Sequence, residues 1–324
     1  MTTSLWARLD VRHVVALGEV VRTGSFTAAA ASLGYTQSAV SQQITRLETV
    51  IGHRVVNRSA GGRTVTLTPA GRVLLGHAEA LTGVLARIAT DVAALAEGTA
   101  GILRVGCFES VGSSLLPSAL ARFTAAFPKV RVVVEELPDD GDLLGLLETG
   151  DLDLSFAVLP LPEGPFRVRA LMEDPYVLVT AAGASVPAGD GEVDLDDHPD
   201  LPLMAYAGMR PVHAIESRLG RPGLRDRVVF RSNHNSTLLG LAAQGYAAAV
   251  IPWLGVDHAR AGIRIHGLSR VGPRVVGIAW RGLPGRDPAA RPLDDAAQGF
   301  VDAAEAAARE RETHLRDVLD ARPT

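Results

Sequence analysis

The chain has 324 residues, of which 47% are hydrophobic and 21% charged, so it can bury a full core and is not a disordered protein. Its apolar runs fall short of the roughly 18 residues of a membrane helix, and the N-terminus MTTSLWARLD lacks a basic region followed by an apolar core. The one cysteine, Cys107, excludes an intrachain disulfide, and these features together favour the cytoplasm, with no membrane partner.

The net charge of −4 is distributed unevenly along the chain. Residues 1–68 hold seven arginines and three acidic residues, a balance of +4, which leaves −8 for the remainder. A basic N-terminal module on an acidic body is typical of a nucleic-acid binder that has a second task.

The N-terminal module is predicted to contain three short helices. Apolar residues at helical spacing in residues 9–22 predict the first. Ser25 or Thr27 is the expected N-cap of the second, in SFTAAAASLG, and Gly34 ends it. The third begins near Gln37 after a short turn, so the last two helices form a helix-turn-helix unit.

A β-hairpin is predicted directly after the third helix. In RVVNRSAGGRTVTLT, residues 54–68, two strand-like segments flank an Ala-Gly-Gly turn. A hairpin in this position is a wing, with Arg58 at its base and Arg63 at its tip.

A long helix is predicted to follow the wing. Thr68 and Pro69 are a helix start, and no breaker occurs before Gly98. Its apolar residues are separated by alternating steps of four and three: Leu74, Ala78, Leu81, Leu85, Ile88, Val92 and Leu95. This heptad pattern favours a coiled coil with a second copy, and the alternative is a helix packed on its own domain.

From residue 101 strands and helices alternate, which predicts an α/β body with covered strands. The segment PLPEGP, residues 160–165, is interpreted as a crossing between two subdomains. A polar helix is predicted over residues 299–320.

One stretch, GSFTAAAASLGYTQSAVSQQITRLETVIGHRVVNRSAGGRTVTLTPAG, resembles the LysR-type transcriptional regulators almost position for position. Segments of the body, LLPSALARFTAAFPKVRVVV, LETGDLDLSFAV, EDPYVLV and LAAQGYAAAVIP, resemble their effector-binding domain. The resemblance spans nearly the whole chain and is looser after residue 165. Among its departures, Gln42 stands where many members carry Arg.

The resemblance implies a fold with three parts: an N-terminal all-α winged helix-turn-helix, a long coiled-coil linker helix, and a C-terminal α/β two-lobed domain like a periplasmic binding protein. The expected boundaries are 1–68 for the DNA-binding domain, 69–98 for the linker and dimerisation helix, 99–310 for the effector-binding domain, and 311–324 for a tail helix. The chain is expected to cross between the lobes near residues 158–165 and again near 268–273.

The third helix presents hydrogen-bonding side chains and little charge, which suits base edges in the major groove. The predicted base readers are Gln37, Ser38, Ser41 and Gln42; the predicted phosphate contacts are Thr27 and Thr36; and Arg46, Arg58 and Arg63 are predicted on phosphates or in the minor groove. The alternative is a protein–protein helix with solvated polar groups.

A coiled-coil dimer would place two recognition helices side by side, so the expected partner is double-stranded DNA with an interrupted palindrome. The resemblance implies a homodimer or a homotetramer, and it makes RNA polymerase a further candidate partner.

Polar residues that follow strands of the body are predicted to face a small-molecule cleft. The predicted effector-binding residues are Ser110, Asp140, Tyr206, Asn235 and Ser236. Plain helix capping is the alternative for the two serines and the asparagine, and a solvated turn is the alternative for the aspartate.

The charge of the effector stays open. The family more often takes organic anions, which Arg231 could bind. Glu109 or an aspartate in the cleft would instead favour a cationic or amine-bearing effector.

No cluster with metal-ligand spacing, phosphate-cradling glycine loop or nucleophile elbow is present in the sequence, so no catalytic residue, metal, cofactor or enzymatic activity is expected. Cys107 is interpreted as a buried thiol, with a redox role as the alternative. The leading hypothesis is a sequence-specific transcriptional regulator modulated by a small-molecule effector. The alternative is a small-molecule-binding α/β protein whose N-terminal module mediates assembly only.

Overall fold

The structure is a computed structural model that describes residues 9–58, 65–96, 100–186, 192–207, 210, 213–218, 222–282 and 293–320. The chain divides into two compact units, residues 1–93 and 94–324.

The described part of the first unit contains a three-helix group and a two-stranded wing. Its elements are α1 (Val11–Thr23), α2 (Phe26–Leu33), α3 (Gln37–Ile51), β1 (Val56–Arg58) and β2 (Val65–Leu67), with the two strands antiparallel. Leu17, Ile44 and Leu47 meet in a core from which water is fully excluded. Burial of these apolar side chains is the main force that holds the three helices together.

Short polar side chains fix where these helices begin. Asp10, Ser25 and Thr36 are the N-caps of α1, α2 and α3, and each side chain accepts a hydrogen bond from a backbone N–H of the first turn. Ser25, and not Thr27, is therefore the N-cap of α2. Gly34 ends α2 in the left-handed region at φ +70°, so only three residues separate α2 from α3.

A long helix, α4 (Pro69–Ala96), follows the wing over 28 residues, or about 42 Å. Thr68 starts it, since its hydroxyl accepts the Gly71 N–H at 3.0 Å and donates to the Arg54 carbonyl at 2.6 Å. Leu85, Ile88 and Val92 on this helix are 38%, 53% and 61% exposed in the single chain. These three residues, which belong to the heptad positions of the predicted coiled-coil seam, are therefore open to solvent.

The second unit is built on two sheets. Its strands are β3 (Gly101–Cys107), β4 (Val130–Glu136), β5 (Leu154–Leu159), β6 (Phe166–Asp174), β7 (Tyr176–Ala181), β8 (Glu192–Val193), β9 (Leu203–Ala205), β10 (Val228–Arg231), β11 (Ala248–Pro252), β12 (Ile263–Leu268) and β13 (Arg274–Arg281). Its helices are α5 (Glu109–Ser114), α6 (Leu116–Ala126), α7 (Asp140–Thr149), α8 (Ile215–Arg218), α9 (Asn235–Ala243) and α10 (Asp295–Asp320), with 3-10 turns at Pro222–Arg227 and Trp253–Gly255.

Each sheet defines one lobe. Lobe 1 carries the strand order β4-β3-β5-β13-β6, and lobe 2 carries β10-β9-β11-β7-β12-β8. In lobe 1, β3 is parallel to both β4 and β5, so their carboxyl ends meet at one edge, where loops can form a binding site.

The first crossing between the lobes is not where the prolines of residues 160–165 suggested. Because β6 belongs to the sheet of lobe 1, residues 160–165 connect two strands of the same sheet, and the chain crosses at Pro175 between β6 and β7. The prolines mark a loop between strands and not a domain boundary. The second crossing, at residues 269–273, falls within the predicted range.

The C-terminal helix also differs from expectation. It is one continuous element, α10, so residues 311–320 extend a helix of lobe 1 and do not form a separate tail helix. Its apolar side is buried: Phe300 and Val301 are fully inaccessible, and the Phe300 ring packs edge-on against Phe123 at 5.4 Å. Asp302, Arg309 and Glu310 are exposed on the other side, whereas Arg311 is half-buried over the Trp253 ring.

Neither a membrane-spanning helix nor a metal-binding cluster occurs among the described residues. None of the described helices combines the length and the apolar character needed to cross a membrane. No group of three His, Cys, Asp or Glu residues in that part of the chain could hold a metal ion.

Candidate functional site

Helix α3 presents a polar, almost uncharged face on the first unit. Gln37, Ser38 and Gln42 are exposed and Ser41 is half-buried. On the opposite side Val40, with the core residues of this helix, is fully buried. The amphipathic pattern therefore fixes the rotation of the helix, and this rotation turns the predicted base readers toward solvent.

The other predicted DNA contacts differ in exposure, in their hydrogen bonds and in whether the structure describes them. Thr27 and Arg46 are exposed on α2 and α3. Thr36 uses its hydroxyl to cap α3, accepting the Ala39 N–H at 3.2 Å. The backbone of Arg58 lies in β1, whereas Arg63 lies outside the described residues.

A carboxylate ties the wing to the recognition helix. Glu48 of α3 accepts the backbone N–H of Val55 at 2.9 Å, at the start of the segment that leads into β1. This contact fixes where the wing leaves the helix, so the wing and the polar face of α3 have a defined geometry.

A cavity of about 450 Å³, open to solvent, lies between the two lobes of the second unit. Its wall is formed by the loops after β3 and β4 in lobe 1 and after β9 and β10 in lobe 2, together with the start of β13. Four of the predicted effector residues, Ser110, Asp140, Tyr206 and Asn235, line it.

An arginine of lobe 2 binds an aspartate of lobe 1 at this cavity. Arg210 Nε donates to Asp140 Oδ1 at 3.0 Å and Nη2 donates to Oδ2 at 2.8 Å, with the carbonyl of Pro160 also accepting from Nη1 at 2.8 Å. Asp140 is 7% exposed, so it does not lie in a solvated turn. This bidentate pair connects the lobes directly.

A second interlobe contact places a carboxylate at a helix start. Glu109 Oε2 of lobe 1 accepts the backbone N–H of Asn235 at 2.8 Å, at the first residue of α9 in lobe 2. The partial positive charge of a helix N-terminus favours such a carboxylate. His234, the N-cap residue, contributes no side-chain cap, so Glu109 takes that role.

A buried ion pair lies beneath the cavity, where the chain crosses between lobes. Arg274 and Asp174 are 2% and 0% exposed, and Arg274 Nε donates to Asp174 Oδ2 at 2.8 Å. The other oxygen, Oδ1, accepts the Leu254 N–H of lobe 2 at 3.0 Å, and Arg274 Nη2 donates to Ser110 Oγ at 2.7 Å. Ser110 is thus a partner of Arg274 and does not act as a helix cap.

Tyr206 and Asn235 are joined to each other, and Ser236 is not part of this arrangement. The Tyr206 hydroxyl donates to the side-chain oxygen of Asn235. Ser236 is exposed and lies outside the cavity lining. Arg231 lines a neighbouring hollow, where it binds Glu216 and donates to the Tyr206 carbonyl at 3.1 Å.

Sequence reasoning missed several lining residues, of which His213 and Arg274 carry the most chemistry. Burial, with Arg210 nearby, lowers the pKa of His213 to about 4, so its ring is neutral at physiological pH. Neither residue belongs to a local motif. For Arg274 the one available signal was a charged residue at the start of an otherwise apolar strand, RVVGIAW.

The single cysteine is enclosed within lobe 1. Cys107 is buried, and this burial raises the pKa of its thiol to about 12. Because the thiolate is the reactive form, this environment favours the structural interpretation over the redox one.

Comparisons with known proteins cover both units. The family described as bacterial regulatory helix-turn-helix protein, lysR family, matches residues 11–72, and the LysR substrate binding domain family matches residues 96–307. YfeR of Shigella flexneri, an uncharacterized HTH-type transcriptional regulator, is 27% identical over 244 residues, which cover 72% of this chain and 75% of that protein. YybE of Bacillus subtilis, with the same description, is 24% identical over 291 residues, covering 85% and 91%.

Solved structures share the fold. The crystal structure of CbnR, a LysR family transcriptional regulator, has a TM-score of 0.62 at 20% identity and covers 93% of this chain and 99% of its own. Full-length CbnR complexed with its target DNA has a TM-score of 0.64 at 19% identity, covering 92% and 100%.

Proposed function

Because the chain belongs to the LysR family of DNA-binding transcriptional regulators, we propose that α3 reads an interrupted palindrome and that a small molecule in the interlobe cavity modulates this binding. The observation that carries the proposal is the exposed polar face of α3, a helix whose rotation about its axis is fixed by the core of the first unit. These regulators bind DNA as oligomers and respond to effectors.

The base contacts follow from the chemistry of the exposed side chains. Gln37 and Gln42 can each pair with adenine through N6 and N7, and Ser38 and Ser41 can serve several bases. In this proposal Thr27 and Thr36 contact phosphates, and three arginines hold phosphates or enter the minor groove: Arg46, Arg58 and Arg63. Phosphate contacts set the register on the duplex and carry no sequence information directly. Binding should therefore weaken steeply as salt rises.

The effector acts through groups that already join the lobes. Ser110, Asp140, Tyr206 and Asn235 line the cavity, and Asp140 belongs to the ion pair that crosses it. A ligand that alters these contacts binds two lobe arrangements with different affinities. This difference is required if ligand binding is to change the affinity for DNA. The exposed position of Ser236 removes it from this set.

The family consists of transcriptional regulators, which are not enzymes. We further propose that this chain has no catalytic activity and that it works in the cytoplasm, where its target, chromosomal DNA, is accessible. RNA polymerase is a further proposed partner.

A gel-shift experiment with DNA upstream of its own and neighbouring genes tests the DNA proposal. The double variant Gln37→Ala plus Ser41→Ala should lose affinity for the preferred duplex by roughly 10-fold or more, since a good bidentate base contact is worth ~1–3 kcal/mol. Binding to random duplex should change little, because the phosphate contacts remain.

The control variant is Thr49→Ala, which removes an exposed hydroxyl near the opposite end of α3 and should leave both affinities unchanged. Equal binding of preferred and random DNA by the unmodified protein would instead support the second candidate, a ligand-binding protein whose N-terminal unit mediates assembly only.

A further inference from the structure

The positive charges at the interlobe cavity are already committed to internal partners. Arg274 is bound by Asp174 and Ser110, and Arg210 is bound by Asp140 and two backbone carbonyls. His213 adds no cation at neutral pH, because burial keeps its pKa low. An anionic ligand would therefore meet guanidinium groups whose charge is already balanced by Asp174 and Asp140.

Carboxylate oxygens, in contrast, remain available. Glu109 uses Oε2 on the Asn235 N–H, and Asp139 uses Oδ1 on the Gly141 N–H at 2.6 Å. Within the described residues, Oε1 of Glu109 and Oδ2 of Asp139 have no hydrogen-bond partner, and both side chains line the cavity. Glu109 also fills the N-terminus of α9, the place where a ligand carboxylate would otherwise bind.

A separate observation at His213 indicates a missing partner. The ring is 1% exposed and lines the cavity, and within the part of the chain that the structure describes its Nε2 makes no hydrogen bond of regular geometry. The Val158 carbonyl acts only weakly on the ring, and it already accepts from Arg210. Nδ1 lies 3.2 Å from Nη2 of Arg218. Because a guanidinium only donates, Nδ1 accepts, so the proton of the neutral ring is on Nε2. A buried N–H without a partner is costly, and a ligand oxygen would satisfy it.

We propose that the cavity takes a ligand with an ammonium or guanidinium group for Glu109 and Asp139, and with an oxygen acceptor for His213. This inference rests on the proposed function, since it names the chemical class of the effector. The protein's own carboxylates occupy its anion-binding groups, and the ligand completes the charge balance.

The test compares three compounds with the same five-carbon chain: 1,5-diaminopentane, 5-aminopentanoate and glutarate. Thermal unfolding of the full-length protein is followed at constant ionic strength as each compound is added, because binding to the native state raises the Tm by mass action. 5-Aminopentanoate should raise the Tm most and in a saturable way, the diamine less, and glutarate not at all. Stabilisation by glutarate alone, or by neither amine, overturns the proposal.

Two variants locate the effect. Glu109→Gln removes the charge but keeps an oxygen that can accept the Asn235 N–H, so α9 retains its cap, and amine affinity should fall roughly 10-fold or more. Glu148→Gln makes the same charge change at an exposed position on α7 and should bind like the unmodified protein. An equal loss in both variants would mean that net charge alone attracts the amine, which overturns the assignment to this cavity.

A gel shift on the same ligand-free preparation separates the two ideas. Failure to prefer any duplex contradicts the proposed DNA reading and leaves amine binding to stand or fall by its own result. Normal DNA binding with no amine-dependent Tm change overturns the ligand class only.

Discussion

At the scale of single residues, the tightest constraint in the first unit is a glycine. A Cβ on Gly71 would lie 2.0 Å from the carbonyl oxygen of Val55 and 2.9 Å from a methyl carbon of Leu67. The first turn of α4 is therefore pressed against the base of the wing. Only a residue without a side chain permits this approach, and it complements the Thr68 bonds that hold the same junction.

Gly71→Ala should destabilise the first unit by about 1–3 kcal/mol, because a backbone carbonyl cannot move aside as a flexible side chain can. The measurement is thermal unfolding of the full-length protein together with its DNA affinity. Gly76→Ala, on the same helix with nothing within 4 Å of the added methyl, should be neutral or gain up to ~1 kcal/mol from helix propensity. Identical melting of the two variants would contradict the close packing at Gly71.

At the scale of elements, α4 and α10 show how similar patterns have different outcomes. Both are long helices with an apolar stripe and a charged or small remainder. The stripe of α10 is covered by lobe 1, with Phe300 fully buried. The stripe of α4 stays exposed at Leu85, Ile88 and Val92 in the single chain, which leaves these residues free for the predicted contact with a second copy.

We expect Leu85→Asp plus Ile88→Asp to shift the mass in solution toward the 34.0 kDa of the single chain, because charges at heptad positions would be desolvated in the seam. Light scattering coupled to size-exclusion chromatography gives the mass. Val73→Asp, on the same helix but outside the heptad positions and 67% exposed, should leave it unchanged. Retention of the original mass by the double variant would rule out this seam as the main contact.

At the scale of the whole second unit, the lobes are connected by ion pairs that differ in burial. Asp174 and Arg274 are almost fully buried at the crossing and reach Leu254 of lobe 2 and Ser110 of the cavity wall. The Arg210–Asp140 pair, also shielded, spans the cavity itself. Ligand contact with Ser110 or Asp140 would therefore act directly on the groups that set the lobe arrangement.

Removing one partner of the deep pair, as in Arg274→Met, should cost about 3–5 kcal/mol in the free energy of unfolding, because Asp174 is left as an unpaired buried charge. Arg169→Met, which breaks the partly exposed contacts of Arg169 with α10, should cost under ~1 kcal/mol. Urea unfolding of the two variants measures both. Adding Asp174→Asn to Arg274→Met should recover part of the loss, and a purely additive result would contradict the coupling.

Local chemistry explains how much the sequence predicted. The helix-turn-helix, the wing strands, α4 and the alternating body follow from caps, glycines and periodicity, all of which act within a few residues. The sequence did not predict strand β6 or the crossing at Pro175. Membership of β6 in the sheet depends on its pairing with β13, about 100 residues later in the sequence. The proline cluster at 160–165 was a turn signal that sequence alone cannot distinguish from a domain boundary.

The sequence by itself determined the membership of the LysR family, the order of the units and the polar face of α3, because short-range patterns encode these features. Only the tertiary structure decided which charged groups at the cavity are paired within the protein and which carboxylate oxygens are not. Glu109 pairs with a backbone N–H 126 residues away, and Arg210 with an aspartate 70 residues away. Such pairings depend on the packing of two lobes, and no local pattern of residues records them.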